Sequence, residues 1–211
     1  MRIDRSGYPF VLGALLPAIL LLALGYRVAS LPFFILTAFF LFFFRDPERE
    51  IRAGGDLVLS PADGRVLVAG DADPAIAPPG QWQQISIFLS PADVHINRIP
   101  ATGRVTKVEY IPGKFLPAYH HDATLNERTE IWLDAAGRTV VFRQVVGMLA
   151  RRIVCRVAVG QDVKAGDRFG VMKFGSRMDV FVPPDATLRV KTGDAVRAGD
   201  TVLAELRPYV R

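Results

Sequence analysis

Residues 163–167 have the sequence Val-Lys-Ala-Gly-Asp, which returns at residues 196–200 as Val-Arg-Ala-Gly-Asp. In each copy, the glycine allows a backbone conformation that other residues resist, and the aspartate side chain can cap the turn. A looser copy, Ile-Arg-Ala-Gly-Gly-Asp, occupies residues 51–56. Because each copy precedes a short apolar run, we interpret the three segments as tight turns that lead into β-strands.

From Asp56 onward the chain consists of short apolar runs that are rich in Val and Ile and bounded by Gly, Pro and Asp, as β-strands are. The runs are residues 57–59, 65–69, 84–89, 104–110, 130–133, 139–145, 153–159, 178–182 and 201–206. They lack the long helical periodicity of α/β proteins. We therefore predict a mostly β (α+β) fold, with a compact β domain whose turns are similar to those of biotinyl- and lipoyl-type barrel-sandwich domains.

The first part of the chain is far more apolar than the rest. Residues 8–26 carry no charge, and as a helix they would span about 28 Å, close to the roughly 30 Å of a bilayer core. Residues 28–44 form a second apolar stretch of marginal length for a span. We predict a membrane anchor over residues 1–45, folded as a hydrophobic helical hairpin, and a globular domain over residues 46–211. A re-entrant or interfacial pair of helices is the alternative.

Basic residues flank the apolar region on both sides. They are Arg2, Arg5, Arg45, Arg49 and Arg52. Under the positive-inside rule, this distribution places both ends of the anchor in the cytoplasm, and the globular domain with them. Basic residues beside an anchor also favour an anionic lipid surface. We therefore expect a protein of the inner cell membrane whose partners include anionic lipids.

Composition and motifs exclude several other classes of protein. The net charge is +5, but no basic run is long enough for nucleic-acid binding. The single cysteine, Cys155, rules out an internal disulfide and a cysteine-rich zinc site. No nucleotide-binding or zinc-peptidase motif occurs, and a strand-rich pattern does not suit the usual hosts of pyridoxal phosphate. We predict no nucleic-acid partner, no metal and no pyridoxal phosphate.

Histidines are the first candidates for chemistry. On a strand, His95 would share one face with Asp93 and Asn97, so that the carboxylate could tune the imidazole; a purely structural histidine is the alternative. His120 and His121 follow a proline- and glycine-containing segment and are interpreted as loop residues that line a pocket. The spacing H-x-H or H-x-x-x-H does not accompany them, which argues against a metal site.

The tetrapeptide Ser-Pro-Ala-Asp occurs twice, at residues 60–63 and 90–93. Proline pre-sets one dihedral angle of a turn and aspartate caps it, so each copy is interpreted as a turn. A carboxylate that points into a site is the functional alternative for both copies.

Residues 171–183 form the most informative segment. Met172 and Lys173 resemble the Met-Lys-Met hairpin of biotin carriers, although Phe174 occupies the third position. The dipeptide Gly175-Ser176 has two further interpretations. It is either a turn between two strands or a self-cleavage junction, in which the serine hydroxyl attacks the preceding glycine carbonyl.

Together these motifs resemble the phosphatidylserine decarboxylase family, and in particular its short bacterial form, whose cleavage motif is Phe-Gly-Ser-Arg. The matching segments are the apolar N-terminus and residues 60–64, 89–95, 112–115, 126–128, 146–147 and 174–177. No single segment is decisive, but their order and spacing are specific. The resemblance covers nearly the whole chain.

The resemblance implies a proenzyme that cuts itself between Gly175 and Ser176. Residues 1–175 would become the β chain and residues 176–211 the α chain, and Ser176 would become an N-terminal pyruvoyl group. This self-made cofactor would provide the electron sink that decarboxylation of an amino acid requires. The implied reaction converts phosphatidylserine to phosphatidylethanolamine and carbon dioxide. A homodimer is left open.

Roles for two residues follow from motifs that match the family. Asp63 matches the carboxylate of the self-cleavage relay, and His95 matches the histidine that protonates the decarboxylated intermediate. The long bacterial form has a second histidine three residues later, which is its general base for cleavage, whereas this chain has Arg98 there. We therefore assign His95 to both steps; His120, His121 or a more direct role of Asp63 is the alternative.

Three residues are predicted to bind the substrate. Arg177 suits its phosphate or carboxylate because a guanidinium can bond to either in a bidentate manner. The alternative for Arg177 is a salt bridge to Asp179. Asp93 and His121 complete the predicted binding site.

Two other functions compete with the decarboxylase. One is a membrane-tethered carrier of the biotinyl or lipoyl type, modified at Lys173, and the Gly-Ser-Arg sequence beside it argues against this function. The other is a membrane-anchored metallopeptidase, which would need an H-x-H motif that the sequence does not contain.

Overall fold

The computed structural model describes residues 2–51, 54–119, 123, 125–148, 153–173 and 176–207. The chain divides into two compact units, Met1–Glu48 and Arg49–Arg211. The first unit is mainly helical, and the second is built of β-strands.

Two apolar helices form most of the first unit. Helix α1 covers Tyr8–Ala23 and helix α2 covers Arg27–Phe43. The Phe10 ring of α1 lies 5.4 Å from the ring of Phe40 and 5.3 Å from that of Phe44, measured between centroids. Because the start of α1 packs against the end of α2, the pair is an antiparallel hairpin.

Short elements complete the hairpin at its ends. Strands β1 (Arg2–Ile3) and β2 (Arg45–Asp46) pair in antiparallel orientation. A helical turn continues α1 toward the N-terminus, and the combined helix Arg5–Ala23 has 19 residues, long and apolar enough to cross a bilayer. Helix α2 is shorter, at 17 residues. Most of the longer helix is not buried by protein, which is consistent with the predicted association with a membrane.

Antiparallel strands build the second unit. They are β3 (Leu57–Leu59), β4 (Gly64–Asp71), β5 (Gln83–Leu89), β6 (Ile96–Arg98), β7 (Gly103–Ile111), β8 (Arg128–Ala135), β9 (Arg138–Val146), β10 (Ile153–Cys155), β11 (Asp162–Val163), β12 (Arg168–Met172), β13 (Ser176–Val182), β14 (Thr187–Leu188), β15 (Ala195–Val196) and β16 (Val202–Glu205). The main sheet has eight strands in the order β11-β7-β8-β9-β13-β5-β4-β15. Two sheets of three strands have the orders β10-β12-β6 and β14-β16-β3. The predicted mostly β fold is confirmed, and the described strands do not close into a barrel.

The hydrophobic core covers one face of the main sheet. Met178 and Val180 of β13 and Phe142 of β9 are fully buried there. The Phe142 ring meets the ring of Phe169, on β12 of a smaller sheet, edge-on at 5.2 Å between centroids. Because side chains alternate along a strand, the side chain of Ser176 lies on the same face of β13 as those of Met178 and Val180.

The two Val-x-Ala-Gly-Asp segments form turns with a left-handed glycine before a strand, as the sequence predicts, but the predicted aspartate cap is seen in the first copy and a threonine takes its place in the second. Gly166 and Gly199 have φ angles of 85° and 76°, in the left-handed region that favours glycine. In the first copy, the Asp167 carboxylate accepts a hydrogen bond of 3.0 Å from a backbone N–H three residues earlier. In the second copy, the Thr201 hydroxyl accepts the corresponding bond from the backbone N–H of Arg197 at 2.9 Å. Strands β12 and β16 follow the two turns.

Candidate active site

Ser176 is the first residue of β13, which lies between β5 and β9 in the main sheet. It pairs with Leu89 on one side and with Val146 on the other. The residue is fully buried, and its hydroxyl has no hydrogen-bond partner in the described part of the chain. Leaving a buried hydroxyl unpaired costs about 1–3 kcal/mol, so such a group is usually retained for a reason other than stability.

His95 lies beside the strand that leads to the predicted junction. It immediately precedes β6 and is 1% exposed, and its backbone oxygen accepts a hydrogen bond of 3.3 Å from the N–H of Met172, the last residue of β12. Its ring Nδ1 is 3.0 Å from the backbone oxygen of Asp93. Because a carbonyl can only accept, Nδ1 carries the proton in this contact, and Nε2 is then the basic nitrogen of the neutral ring.

Asp93 supports His95 through its backbone rather than through its carboxylate. The carboxylate accepts two hydrogen bonds from Ser90, one from the N–H at 2.8 Å and one from the hydroxyl at 2.7 Å. The second Ser-Pro-Ala-Asp segment is therefore a capped turn, which is the first of its two interpretations. The predicted tuning of the imidazole by this carboxylate stays a prediction.

Asp63 lies in the turn before β4, at the same end of the main sheet as Ser176. Its Oδ2 is 2.6 Å from Nη2 of Arg49, and its Oδ1 accepts a hydrogen bond of 2.8 Å from the N–H of Ala198. Strand β4 is separated from β13 by β5 alone, which places the two backbones roughly 10 Å apart at strand spacings of about 4.8 Å. The first Ser-Pro-Ala-Asp segment therefore presents a carboxylate that is held by two donors.

A close backbone crossing fixes the chain directly after Asp63. Gly64 has a φ of +154°, and a Cβ atom at this position would lie 2.1 Å from the backbone oxygen of Phe88. Only glycine fits so near to β5. The Gly that completes the Ser-Pro-Ala-Asp-Gly segment thus fixes where the Asp63 turn meets the sheet.

Arg177 forms the salt bridge that was the alternative to substrate binding. Its Nη2 donates a hydrogen bond of 3.0 Å to Oδ2 of Asp179, and both side chains are almost completely buried. The other oxygen of Asp179 accepts a bond of 2.6 Å from the Ser86 hydroxyl. These side chains occupy the face of β13 opposite to the side chain of Ser176.

An amide pair lies beside the core face of β13, and only Asn97, which follows His95, has a signal in the sequence. Gln144 of β9 donates a hydrogen bond of 2.8 Å from Nε2 to Oδ1 of Asn97, and both residues are fully buried. Nδ2 of Asn97 and Oε1 of Gln144 have no partner among the described residues. Gln144 is paired with Met178, two residues from Ser176 on the same face of the sheet. One donor and one acceptor are thus available in the interior on the side of the sheet that carries Ser176.

Arg128 adds positive charge at the same end of the sheet, on the opposite face. It is paired with Val145, which is paired with Arg177 in turn. Burial lowers the pKa of the Arg128 guanidinium, and repulsion by Arg143 lowers it further. Arg128 and Arg143 both line a cleft of about 760 Å³ beneath the segment Ala75–Pro79. Among the described residues, none that the sequence predicts for the site lines this cleft.

Three of the predicted positions lie outside the described residues. They are Gly175 of the junction and the two loop histidines, His120 and His121. The predictions for these residues therefore remain predictions. The predicted catalytic residues that the structure describes are Ser176, His95 and Asp63, which come from three separate motifs.

Comparisons with known proteins identify relatives of this chain. The sequence model of the phosphatidylserine decarboxylase family matches residues 36–204. The phosphatidylserine decarboxylase proenzyme of Geotalea daltonii is 43% identical over 201 residues, which cover 94% of this chain and 93% of that protein. The proenzyme of Chlorobaculum tepidum is 46% identical over 178 residues, which cover 84% and 81% of the two chains. The chain belongs to the phosphatidylserine decarboxylase family.

Membership of the phosphatidylserine decarboxylase family confirms the resemblance that the sequence motifs indicated. The region that matches the family contains Asp63, His95 and Ser176. The relatives are named as proenzymes of a decarboxylase, a name that indicates self-processing. The chain is thus an enzyme of this family rather than a carrier module.

Proposed function

We propose that this chain is a self-processing phosphatidylserine decarboxylase that cuts itself between Gly175 and Ser176. It then decarboxylates phosphatidylserine to phosphatidylethanolamine. The observation that carries the proposal is the fully buried, unpartnered hydroxyl of Ser176 at the start of a central strand. Relatives that are 41–46% identical and are named phosphatidylserine decarboxylase proenzyme support the same conclusion.

The residues present fit a pyruvoyl group formed from Ser176. A serine that is to be converted needs a hydroxyl that is not committed to another partner, and Ser176 meets this requirement. A pyruvoyl ketone combines with a primary amine and accepts the electron pair that a departing carboxylate leaves behind. The strand pairing of Ser176 with Leu89 and Val146 would hold the new terminus in place.

Self-cleavage would begin at the Ser176 hydroxyl. Its oxygen attacks the carbonyl carbon of Gly175, the peptide C–N bond breaks, and an ester joins the two residues. Removal of the α proton of Ser176 then breaks the ester C–O bond, and Gly175 leaves as a carboxylate. Water replaces the nitrogen of the remaining dehydroalanine, ammonia is released, and a ketone is left. Every atom comes from the chain and one water molecule, so no external oxidant is needed.

His95 and Asp63 would move the protons in these steps. Nε2 of His95 is the basic nitrogen when Nδ1 donates to the backbone oxygen of Asp93. It could take the proton of the Ser176 hydroxyl and later return a proton to the substrate carbon. Asp63 lies at the same end of the sheet and would complete the relay. Arg98 occupies the position of the second histidine of the long form, and it is buried and donates a bond of 2.9 Å to the backbone oxygen of Gly166.

The apolar hairpin would hold the site at the lipid surface. The acyl chains of phosphatidylserine stay in the bilayer, so an anchored enzyme gains effective concentration over one in free solution. The basic flanks of the hairpin favour an anionic, cytoplasmic surface. We propose the inner cell membrane as the location, with the catalytic unit on the cytoplasmic side.

A decarboxylation assay with matched variants tests the proposal. Purified protein is incubated with vesicles that contain phosphatidylserine, and phosphatidylethanolamine is measured. The original chain is expected to form the product and Ser176→Ala to form none, because that variant has no hydroxyl to convert. Ser6→Ala, which removes a hydroxyl from the helical unit, serves as the control. Product formation by Ser176→Ala at the original rate would refute the proposal.

A further inference from the structure

Arg49 is the first residue of the β unit and follows the helical unit directly. Its guanidinium Nη2 is 2.6 Å from Oδ2 of Asp63, and the two side chains are only 15% and 14% exposed. Ion pairs at an exposed surface contribute little, whereas a short, largely buried pair with an arginine constrains the carboxylate orientation strongly. Residues 49–51, which follow the helical unit and are called the linker below, thus place a guanidinium on the carboxylate that the proposed relay uses.

The Ile51 side chain packs against the two Gly-Asp turns. A Cβ atom on Gly166 would lie 2.6 Å from Cδ1 of Ile51, and one on Gly199 would lie 2.7 Å from the same atom. The side chain therefore occupies the space that two glycines leave open. These are the glycines of the two repeated sequence segments. Besides allowing the turn, the absence of a Cβ atom at each of them leaves room for the Ile51 side chain.

The second donor to Asp63 belongs to one of these turns. The N–H of Ala198, next to Gly199, donates to Oδ1, while Arg49 donates to Oδ2. One carboxylate oxygen is therefore held by Arg49, and the other by a turn that lies against Ile51. Docking of residues 49–51 and orientation of Asp63 form one structural unit.

We infer that Arg49 is a positioning residue for self-cleavage, which acts by holding Asp63 in the orientation that the proton relay requires. This inference rests on the proposed function. Among the described residues, the Arg49 guanidinium contacts the Asp63 carboxylate, and it would act through that group. The segment that follows the membrane hairpin would thereby complete the maturation site, and maturation would depend on the docked linker.

The rate of self-cleavage of the full chain tests the inference. Intact mass spectrometry follows the appearance of residues 176–211 over time after synthesis. Arg49→Gln is expected to slow this rate about tenfold, as the loss of one charge-assisted hydrogen bond would do. Arg49→Lys keeps the charge but not the planar guanidinium, and its cleavage rate is expected to lie between those of the original chain and Arg49→Gln. Arg189→Gln makes the same change in charge at an exposed ion pair with Glu205 and is expected to stay within about twofold of the original rate.

A double variant separates positioning through Asp63 from a general structural role. In an Asp63→Asn background, Arg49→Gln is expected to slow the residual cleavage no further, because its effect passes through the carboxylate. If the double variant is instead slowed by the product of the two single-variant factors, the inference is wrong. If Arg49→Gln does not fold, the cleavage rate of Arg49→Lys tests the inference instead. A rate below that of the original chain supports the inference, and an unchanged rate contradicts it.

The possible failures can be told apart. If the original chain never yields residues 176–211, the proposed function itself fails, and the inference with it. If the original chain and Asp63→Asn are cleaved equally fast, Asp63 has no role in the relay, and the inference that Arg49 positions it for cleavage fails as well. If Asp63→Asn is slow but Arg49→Gln is as fast as the original chain, the inference about Arg49 alone is wrong.

Discussion

At the scale of single residues, the site is marked by polar atoms that the interior leaves unpaired. The hydroxyl of Ser176 is one, and Nδ2 of Asn97 and Oε1 of Gln144 are two others. All three residues are fully buried. Because folded proteins pair most buried polar groups, each of these three atoms calls for an explanation other than stability.

His95 carries the first prediction at this scale. His95→Ala is expected to slow both self-cleavage and decarboxylation by about 10²–10⁴-fold, the usual contribution of a general acid or base. Gel analysis of the fragments and product measurement on the cleaved fraction check the two steps separately. His120→Ala and His121→Ala test the two histidines that are the alternative bases. Complete and rapid maturation of His95→Ala would show that another group removes the serine proton.

Gln144 carries a second prediction, which concerns stability. Gln144→Met keeps the size of the side chain but removes the hydrogen bond to Asn97, whose amide then remains buried without that partner. Urea denaturation should show a loss of about 1–3 kcal/mol in the free energy of unfolding. The same change at the exposed Gln81 should have almost no effect. Equal stability of the two variants would contradict the burial argument.

Motifs predict some of the residue-level site and miss the rest for physical reasons. Ser176, His95 and Asp63 can be predicted because each belongs to a short motif that matches the family. Gln144 sits in an ordinary apolar strand of the main sheet, and only a side-chain contact with the small sheet that contains β6 brings it to Asn97. From the sequence, Arg49 is one of the basic flanks of the anchor, since a sequence does not show that residues 49–51 fold back onto the Asp63 turn.

At the scale of secondary structure, patterns predict the long strands well and the short strands poorly. The apolar run at residues 139–145 corresponds to β9, and the run at 178–182 to β13. Strands of two or three residues, such as β11 and β15, exist only through pairing with distant strands and leave little pattern in the sequence. The predicted run 153–159 is a strand only as far as Cys155.

An ion pair between the start of β9 and the turn after β13 provides a prediction at this scale. The hydrogen bond from Arg138 lowers the pKa of Asp185 below its usual 3.8. A lowered pKa stabilises the fold above the usual pKa, and this contribution disappears as the pH falls through the lowered value. Asp185→Asn should therefore reduce the melting temperature at pH 7, and the difference should vanish in strong acid.

The control for this pair is an exposed carboxylate. Asp71→Asn at the end of β4 changes the same type of group where it is exposed. Thermal unfolding monitored by circular dichroism at several pH values should show little effect of this variant at any pH. A difference between Asp185→Asn and the original chain that persists unchanged at pH 2 would show that the ion pair is not the cause.

At the scale of the whole molecule, the predicted cut divides the chain without dividing the sheets. Strand β13 pairs with β5 and with β9, while β15 pairs with β4 and β16 pairs with β3. Every one of these pairings joins residues after the junction to residues before it. Residues 176–211 should therefore co-elute with residues 1–175 in size-exclusion chromatography and separate only in denaturant. Separation under native conditions would contradict the sheet topology.

The general class of the molecule could be predicted from composition alone, whereas its detailed topology could not. The contrast between an apolar first part and a strand-rich remainder indicates a hydrophobic hairpin and a β domain. The order of strands in the main sheet depends on contacts between distant segments, such as β13 between β5 and β9. Similarity to barrel-sandwich turns correctly predicts local turns, but the described strands form several sheets.

Intact mass measurement with and without a carbonyl-reactive reagent tests the central claim most directly. The account predicts two fragments, residues 1–175 and residues 176–211. The smaller fragment should lack the nitrogen of Ser176 and gain the mass of the reagent, because its terminus is a ketone. Ser176→Ala should remain one chain and gain nothing. A single, unreactive chain of 211 residues in an active preparation would contradict the claim that Ser176 becomes the catalytic group.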